Sequence, residues 1–166
     1  LLSGAAFSAD FFHHSFLNQS DRLSAVKIAA QRPVIPAVMS ELRKQNLGIS
    51  PEVDRALSDL QRGTVAVAVT GQQLGVCGGP LFTLYKIAST IKLAEFLEKE
   101  SGTRVVPLFW LQSEDHDFAE VSKAAFFSSA EDLKEAALRI PADKLGDSVG
   151  RLALGLEACQ EIKTVL

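Results

Sequence analysis

Apolar positions along the chain recur first at helical and then at strand spacing. From Asp21 to Gln31, Leu23, Val26, Ile28 and Ala30 follow a loosely helical pattern. Pro33 and Pro36 interrupt it. Ile35, Val38, Met39 and Leu42 then recur at spacings of three and four, which predicts a second helix stopping near Gly48. Ser50 and Pro51 open a third helix, since serine suits the N-cap and proline the first helical position. Val53, Leu57 and Leu60 give it an apolar face, and Gly63 closes it. At Thr64 the pattern changes. Thr64 to Val69 is short, apolar and β-branched, predicting a strand covered on both faces, as in parallel sheets. A Gly-rich loop from Thr70 to Pro80 follows, then a long helix from about Leu81 to Lys99. Leu84, Ile87, Ile91 and Ala94 mark its expected core face, with Lys92, Glu95, Glu98 and Lys99 turned mostly to water. After Gly102, Val105 to Leu111 reads as a second strand, in which Pro107 is out of place because proline has no N–H for a ladder. The last stretch, Glu157 to Leu166, reads as a helix with no cap or stop signal.

Strand, Gly-rich turn, helix and strand make a βαβ unit, whose crossover is expected to be right-handed. The fold class is therefore α/β with a parallel sheet. Ligands of such sheets bind beyond the carboxyl ends of the strands. Two polar clusters fall there, residues 71–86 after the first strand and 112–117 after the second.

Composition narrows the function classes. The chain has 166 residues, 47% of them apolar and 22% charged, which excludes disorder and low-complexity classes. A formal net charge of −3 gives no bulk attraction to nucleic acid or to an anionic membrane, so neither is an expected partner. Two cysteines, Cys77 and Cys159, make neither a disulfide framework nor a four-cysteine zinc site. They suit a reducing cytoplasm. No segment approaches the roughly 18 apolar residues of a membrane span, and the start lacks the charge pattern of a signal peptide. The chain does not begin with Met, and together with the uncapped final helix this favours a fragment of a longer protein.

In the first cluster, Gly78 and Gly79 let backbone approach a ligand, and Pro80 presets the first helical turn. Free N–H groups at that helix start favour an anion, and Thr83 and Lys86 lie near one face of it. The segment is neither a Walker A loop nor a clean G-x-G-x-x-G, and a tight turn beside a surface lysine explains it equally well. Gln72 and Gln73 offer amides suited to reading a polar small molecule, or are simply solvated. The second cluster is Glu114-Asp115-His116-Asp117. Its carboxylates suit an amine or Mg²⁺, and His116 suits acid–base work. A metal needs more ligands than this segment supplies, so no metal site is assigned. Asp117 reads as the N-cap of a following helix with Glu120 as capping-box partner. Cys77 and Cys159 are expected to be buried thiols. His13 and His14, among Phe7, Phe11, Phe12 and Phe16, read as packing rather than chemistry.

The run Thr70-Gly71-Gln72-Gln73-Leu74-Gly75-Val76-Cys77-Gly78-Gly79-Pro80-Leu81-Phe82-Thr83-Leu84-Tyr85-Lys86 resembles the signature of the bacillithiol biosynthesis cysteine-adding enzymes, the BshC family. The resemblance continues through Val106-Pro107-Leu108-Phe109-Trp110-Leu111 and Glu114-Asp115-His116-Asp117-Phe118, and more weakly over most of the chain. Cys77 departs from the family, where a bulky apolar residue is commoner. Members are much longer, so the resemblance implies an N-terminal portion: a helical segment over 1–63 packing on a core, and over 64–166 the first part of a Rossmann-like parallel sheet flanked by helices. It further implies a homodimer through a C-terminal coiled coil outside this chain, and a ligase that adds cysteine to glucosaminyl-malate. Amide formation from a free carboxylate is uphill in water, so ATP is the expected cofactor. The expected roles are anion and substrate binding for Gln72, Gln73, Gly78, Gly79, Thr83 and Lys86, and catalysis for Glu114, Asp115 and His116. The alternatives are another small-molecule ligase or nucleotidyltransferase on the same core, and a non-catalytic Rossmann-like binding module.

Overall fold

A computed structural model describes residues 14–73, 75–127, 132–139, 144, 146–153 and 155–165. Its elements run in the order α1 (Gln19–Ala30), α2 (Pro36–Asn46), α3 (Pro51–Arg62), β1 (Ala66–Gln73), α4 (Leu81–Ser101), β2 (Val105–Gln112), α5 (Phe118–Val121), β3 (Lys123–Phe127), β4 (Leu133–Ala137) and α6 (Leu156–Val165). His13, Phe7, Phe11 and Phe12 lie outside the described residues, whereas His14 and Phe16 are exposed. The chain divides into two compact units: Leu1–Val69 with Ser89–Leu108, and Thr70–Ala88 with Phe109–Leu166.

In the first unit, local signals set the helix ends. Asn18 caps α1 by accepting the Ser20 N–H, and the Ser50 hydroxyl accepts the Val53 N–H at 3.3 Å while Pro51 opens α3. β1 and β2 form a two-stranded parallel sheet, with the Ala66 N–H donating to the Arg104 carbonyl at 2.9 Å. Both faces of this part of the sheet are covered. Ala66, Ala68 and Val105 pack with Val26 of α1 and Ala94 of α4. Val65, just before β1, and Val106 pack with Met39 of α2 and Leu57 and Leu60 of α3, and Val67 of β1 packs against them. Alternate residues of β1 thus serve opposite cores, which is why the segment is apolar at every position. The double coverage ends at Val69, which is 61% exposed. Arg104 joins this unit's elements by charge, bonding Glu98 of α4 at 2.8 Å and Asp59 of α3 at 2.9 Å. Arg22 makes a two-pronged bond to Glu100, with Nε to Oε2 at 2.8 Å and Nη2 to Oε1 at 2.5 Å. Pro107 is exposed, in a strand that pairs on one side among the described residues, where a missing N–H is tolerated.

Two sequence expectations need correction here. β1 does not stop before a Gly-rich loop at Thr70 but runs on to Gln73. Gly71 sits against Trp110 of β2, where a Cβ would come within 2.8 Å of the Trp110 carbonyl oxygen. Glycine is there for close strand approach, not for a turn. On α4, the buried positions are Thr83, Thr90 and Ala94, whereas Leu84 is 60% exposed and Ile91 is also exposed. Ala94 is buried as expected and Ile87 is half-buried; at the other two positions burial falls one residue earlier, because the helix is apolar on several sides and periodicity alone does not choose among them.

The second unit contains an antiparallel β3–β4 ladder, from Lys123 opposite Ala137 to Phe127 opposite Leu133. The sequence pattern gave no sign of it. Val121, Ser122, Ala136 and Leu138 are its buried positions near α5, the Leu138 N–H donating to the Ser122 carbonyl at 2.8 Å. α6 packs against β4 and buries Ala158.

Candidate active site

The carboxyl ends of β1 and β2 and the start of α4 all belong to the second unit, so the sequence-predicted residues can be placed against one another. The Gln73 side-chain amide donates to one carboxylate oxygen of Asp115, and the Asp117 N–H donates to the other at 2.9 Å. These two bonds, the Gln73 bond foremost, stabilise the ionised form and hold the Asp115 carboxyl below its ordinary value, with a smaller push from the neighbouring imidazole. The Lys86 ammonium donates to the Gln72 side-chain oxygen at 2.8 Å and to the Gly71 carbonyl at 3.3 Å, and lies 5.3 Å from the centre of the Phe82 ring. Successive strand residues face opposite ways. Gln72 with Lys86 and Gln73 with Asp115 therefore flank the end of β1 from its two sides.

Between β1 and α4, Val76–Gly78 form one 3₁₀ turn, and Gly79 follows with φ +76°. Cys77 sits in that turn at φ +53°, exposed rather than buried as expected, and Cys159 is exposed too. Thr83 lies in the first turn of α4 with its hydroxyl buried and, among the described residues, without a hydrogen-bond partner. A Cβ on Gly79 would stand at an ordinary contact distance of 3.5 Å from that hydroxyl, so it is the positive φ that favours glycine there. Gly78 is exposed and Gly79 half-buried.

Asp117 caps α5 as the spacing predicts, its carboxylate accepting the Glu120 N–H at 3.1 Å. Glu114 and His116 are exposed, and they line a cavity of about 400 Å³ with Gly146, Asp147, Ser148 and Arg151. Sequence reasoning missed the second group entirely. The segment is fixed by the Val149 N–H to the Asp115 carbonyl, the Gly150 N–H to the Ser113 carbonyl and the Ser148 hydroxyl to the same carbonyl, each at 2.8 Å. No local pattern announces such a docking, because its partners lie more than thirty residues away. Among the described residues, no group of three or more His, Cys, Asp or Glu side chains is placed to hold a metal ion, and no helix is long and apolar enough to cross a membrane.

A parallel sheet with helices on both faces, and polar side chains gathered past its strand ends, defines a Rossmann-like domain of the kind that handles small molecules. Over residues 2–166 the chain matches the family described as "Bacillithiol biosynthesis BshC, N-terminal Rossmann-like domain", and it belongs to that family. It is 39% identical over 161 residues to a protein of Solibacter usitatus named "Putative cysteine ligase BshC", covering 96% of this chain and 29% of the relative. Proteins of the same name from Exiguobacterium sibiricum and Salinibacter ruber are 34% identical (80% of this chain, 25% of the relative) and 32% identical (88% and 27%). The chain thus spans under a third of the length of these relatives.

Proposed function

We propose that the intact protein is a cysteine ligase, forming an amide between the carboxyl of cysteine and the amino group of glucosaminyl-malate as the last step of bacillithiol biosynthesis. Family membership across nearly the whole chain carries the reading. The chemistry at the strand ends supports it. ATP is the cofactor of this proposal, and bound there it supplies the leaving group that a free carboxylate lacks. The residues fit an anionic phosphate: the positive dipole end of α4 lies there, the Thr83 hydroxyl in its first turn is buried without a partner among the described residues, and Lys86 lies one turn further along. Gln72 and Gln73 have each committed one end of their amide, to Lys86 and Asp115, and keep the other for substrate. A carboxyl held below its ordinary value is a weak base, so Asp115 orients an amine by charge. Proton removal then falls to His116, with Glu114 beside it. The proposal extends to a cytoplasmic homodimer joined by a C-terminal coiled coil.

Reconstitution of the intact protein with cysteine, glucosaminyl-malate and ATP, read by mass spectrometry, tests this. The expected product is the cysteinyl amide, with turnover falling at least tenfold in Lys86→Ala and in Asp115→Ala. No product from the wild-type protein with all three present refutes the activity, and unchanged turnover in both variants refutes the site.

A further inference from the structure

The geometry points to a subsite for a zwitterionic α-amino acid in the cavity that residues 146–151 form with Glu114 and His116. The cavity, about 400 Å³, falls in the range of roughly 300–1,000 Å³ usual for small-molecule sites. Its walls carry both signs of charge, Glu114 and Asp147 against Arg151. These charges are not spent on one another: among the described residues Arg151 and Glu114 form no ion pair, and Asp147 has one long contact of 3.9 Å, to Lys144. Ser148, by contrast, uses its hydroxyl to anchor the segment on Ser113. A guanidinium matches a carboxylate in two-pronged fashion, and a carboxylate matches an ammonium. A ligand carrying both groups on one carbon satisfies both walls, whereas a simple anion leaves Glu114 and Asp147 facing it unfavourably. Arg151 therefore takes the α-carboxylate, and Glu114 with Asp147 the ammonium. Three hydrogen bonds tie residues 148–150 to Ser113 and Asp115, so the backbone segments that carry Arg151 and Glu114 are held side by side.

This subsite rests on the ligase reading only for the choice of cysteine as amino acid, and its test needs no turnover. Isothermal titration of the intact protein, without nucleotide, uses L-cysteine, cysteamine, N-acetyl-L-cysteine and inorganic phosphate as probes. L-Cysteine is expected to bind, with cysteamine and N-acetyl-L-cysteine at least tenfold weaker because each lacks one charge. Arg151→Ala should weaken L-cysteine at least tenfold, with Arg151→Lys recovering part of the loss. Glu114→Gln should weaken L-cysteine while leaving N-acetyl-L-cysteine unchanged. Circular dichroism of each variant matching the wild type keeps folding out of the comparison. Absent L-cysteine binding, equal affinity for the three thiols, an unchanged dissociation constant in Arg151→Ala, or phosphate binding that depends on Arg151 in place of amino-acid binding overturns the subsite. Failure of the reconstituted reaction alongside intact amino-acid binding overturns the ligase activity alone.

Discussion

Gly150 is the position where the site's least legible part can be tested most directly. A Cβ added there would stand 2.6 Å from the Ser113 Cβ and 2.7 Å from the Ser113 carbonyl oxygen. Both atoms belong to a half-buried residue whose carbonyl already accepts two hydrogen bonds, so neither can yield freely. Gly150→Ala leaves two outcomes. If the segment stays docked, the overpacking costs about 1–3 kcal/mol. If it lifts away, the bonds from Val149, Gly150 and Ser148 are given up, at about 1 kcal/mol each. Either way the docked state loses about 1–3 kcal/mol. At tenfold per 1.4 kcal/mol, protection of the Val149 amide from hydrogen exchange should fall about five- to 150-fold. The amides of β1 in the first unit should keep their protection, since none of them takes part in the three bonds that hold residues 148–150. The measurement is amide exchange followed by NMR or by peptide-resolved mass spectrometry. Wild-type protection at Val149 in the alanine variant would refute the docking.

Other perturbations probe the fold and the charged groups. Leu57→Ala empties part of the core between α3 and the sheet, and should lower unfolding free energy by about 2–5 kcal/mol in denaturant titration. Ser50→Ala removes the α3 cap, at about 1 kcal/mol in the same assay. Gln73→Leu removes the main bond to Asp115, so its carboxyl should rise toward the ordinary value in a ¹³C NMR titration; an unmoved titration would show the bond unimportant. Glu98, bonded by the Val105 N–H and by Arg104, is also held low. Both carboxyls have folded values below the unfolded ones. Their contribution to stability is therefore complete above the ordinary carboxylate range of about 4 and is lost as pH falls through the lowered values. Glu98→Gln should flatten that acid limb of the stability curve.

What the sequence determined by itself was whatever rests on neighbours in the chain. Ser50 and Asp117 are caps because a short polar side chain three residues before a free N–H reaches it without help from elsewhere. The start of β1, Ala66–Ala68, is legible because covering both faces demands an apolar residue at every position. Helices α2 and α3 are legible because their apolar stripes repeat. Tertiary structure decided what depends on distant partners. Gly71-Gln72-Gln73 has the composition of a loop, yet the close approach of Trp110 draws it into β1. α4 has apolar residues on several sides, so only its neighbours could select Thr83 and Thr90 for burial over Leu84 and Ile91. The bond of Gln73 to Asp115, and the seating of Ser148, Val149 and Gly150 on residues 113–115, join positions tens of residues apart. Hydrogen bonds across such separations leave no period in the sequence, because each is satisfied once, at one place, only after the chain has folded.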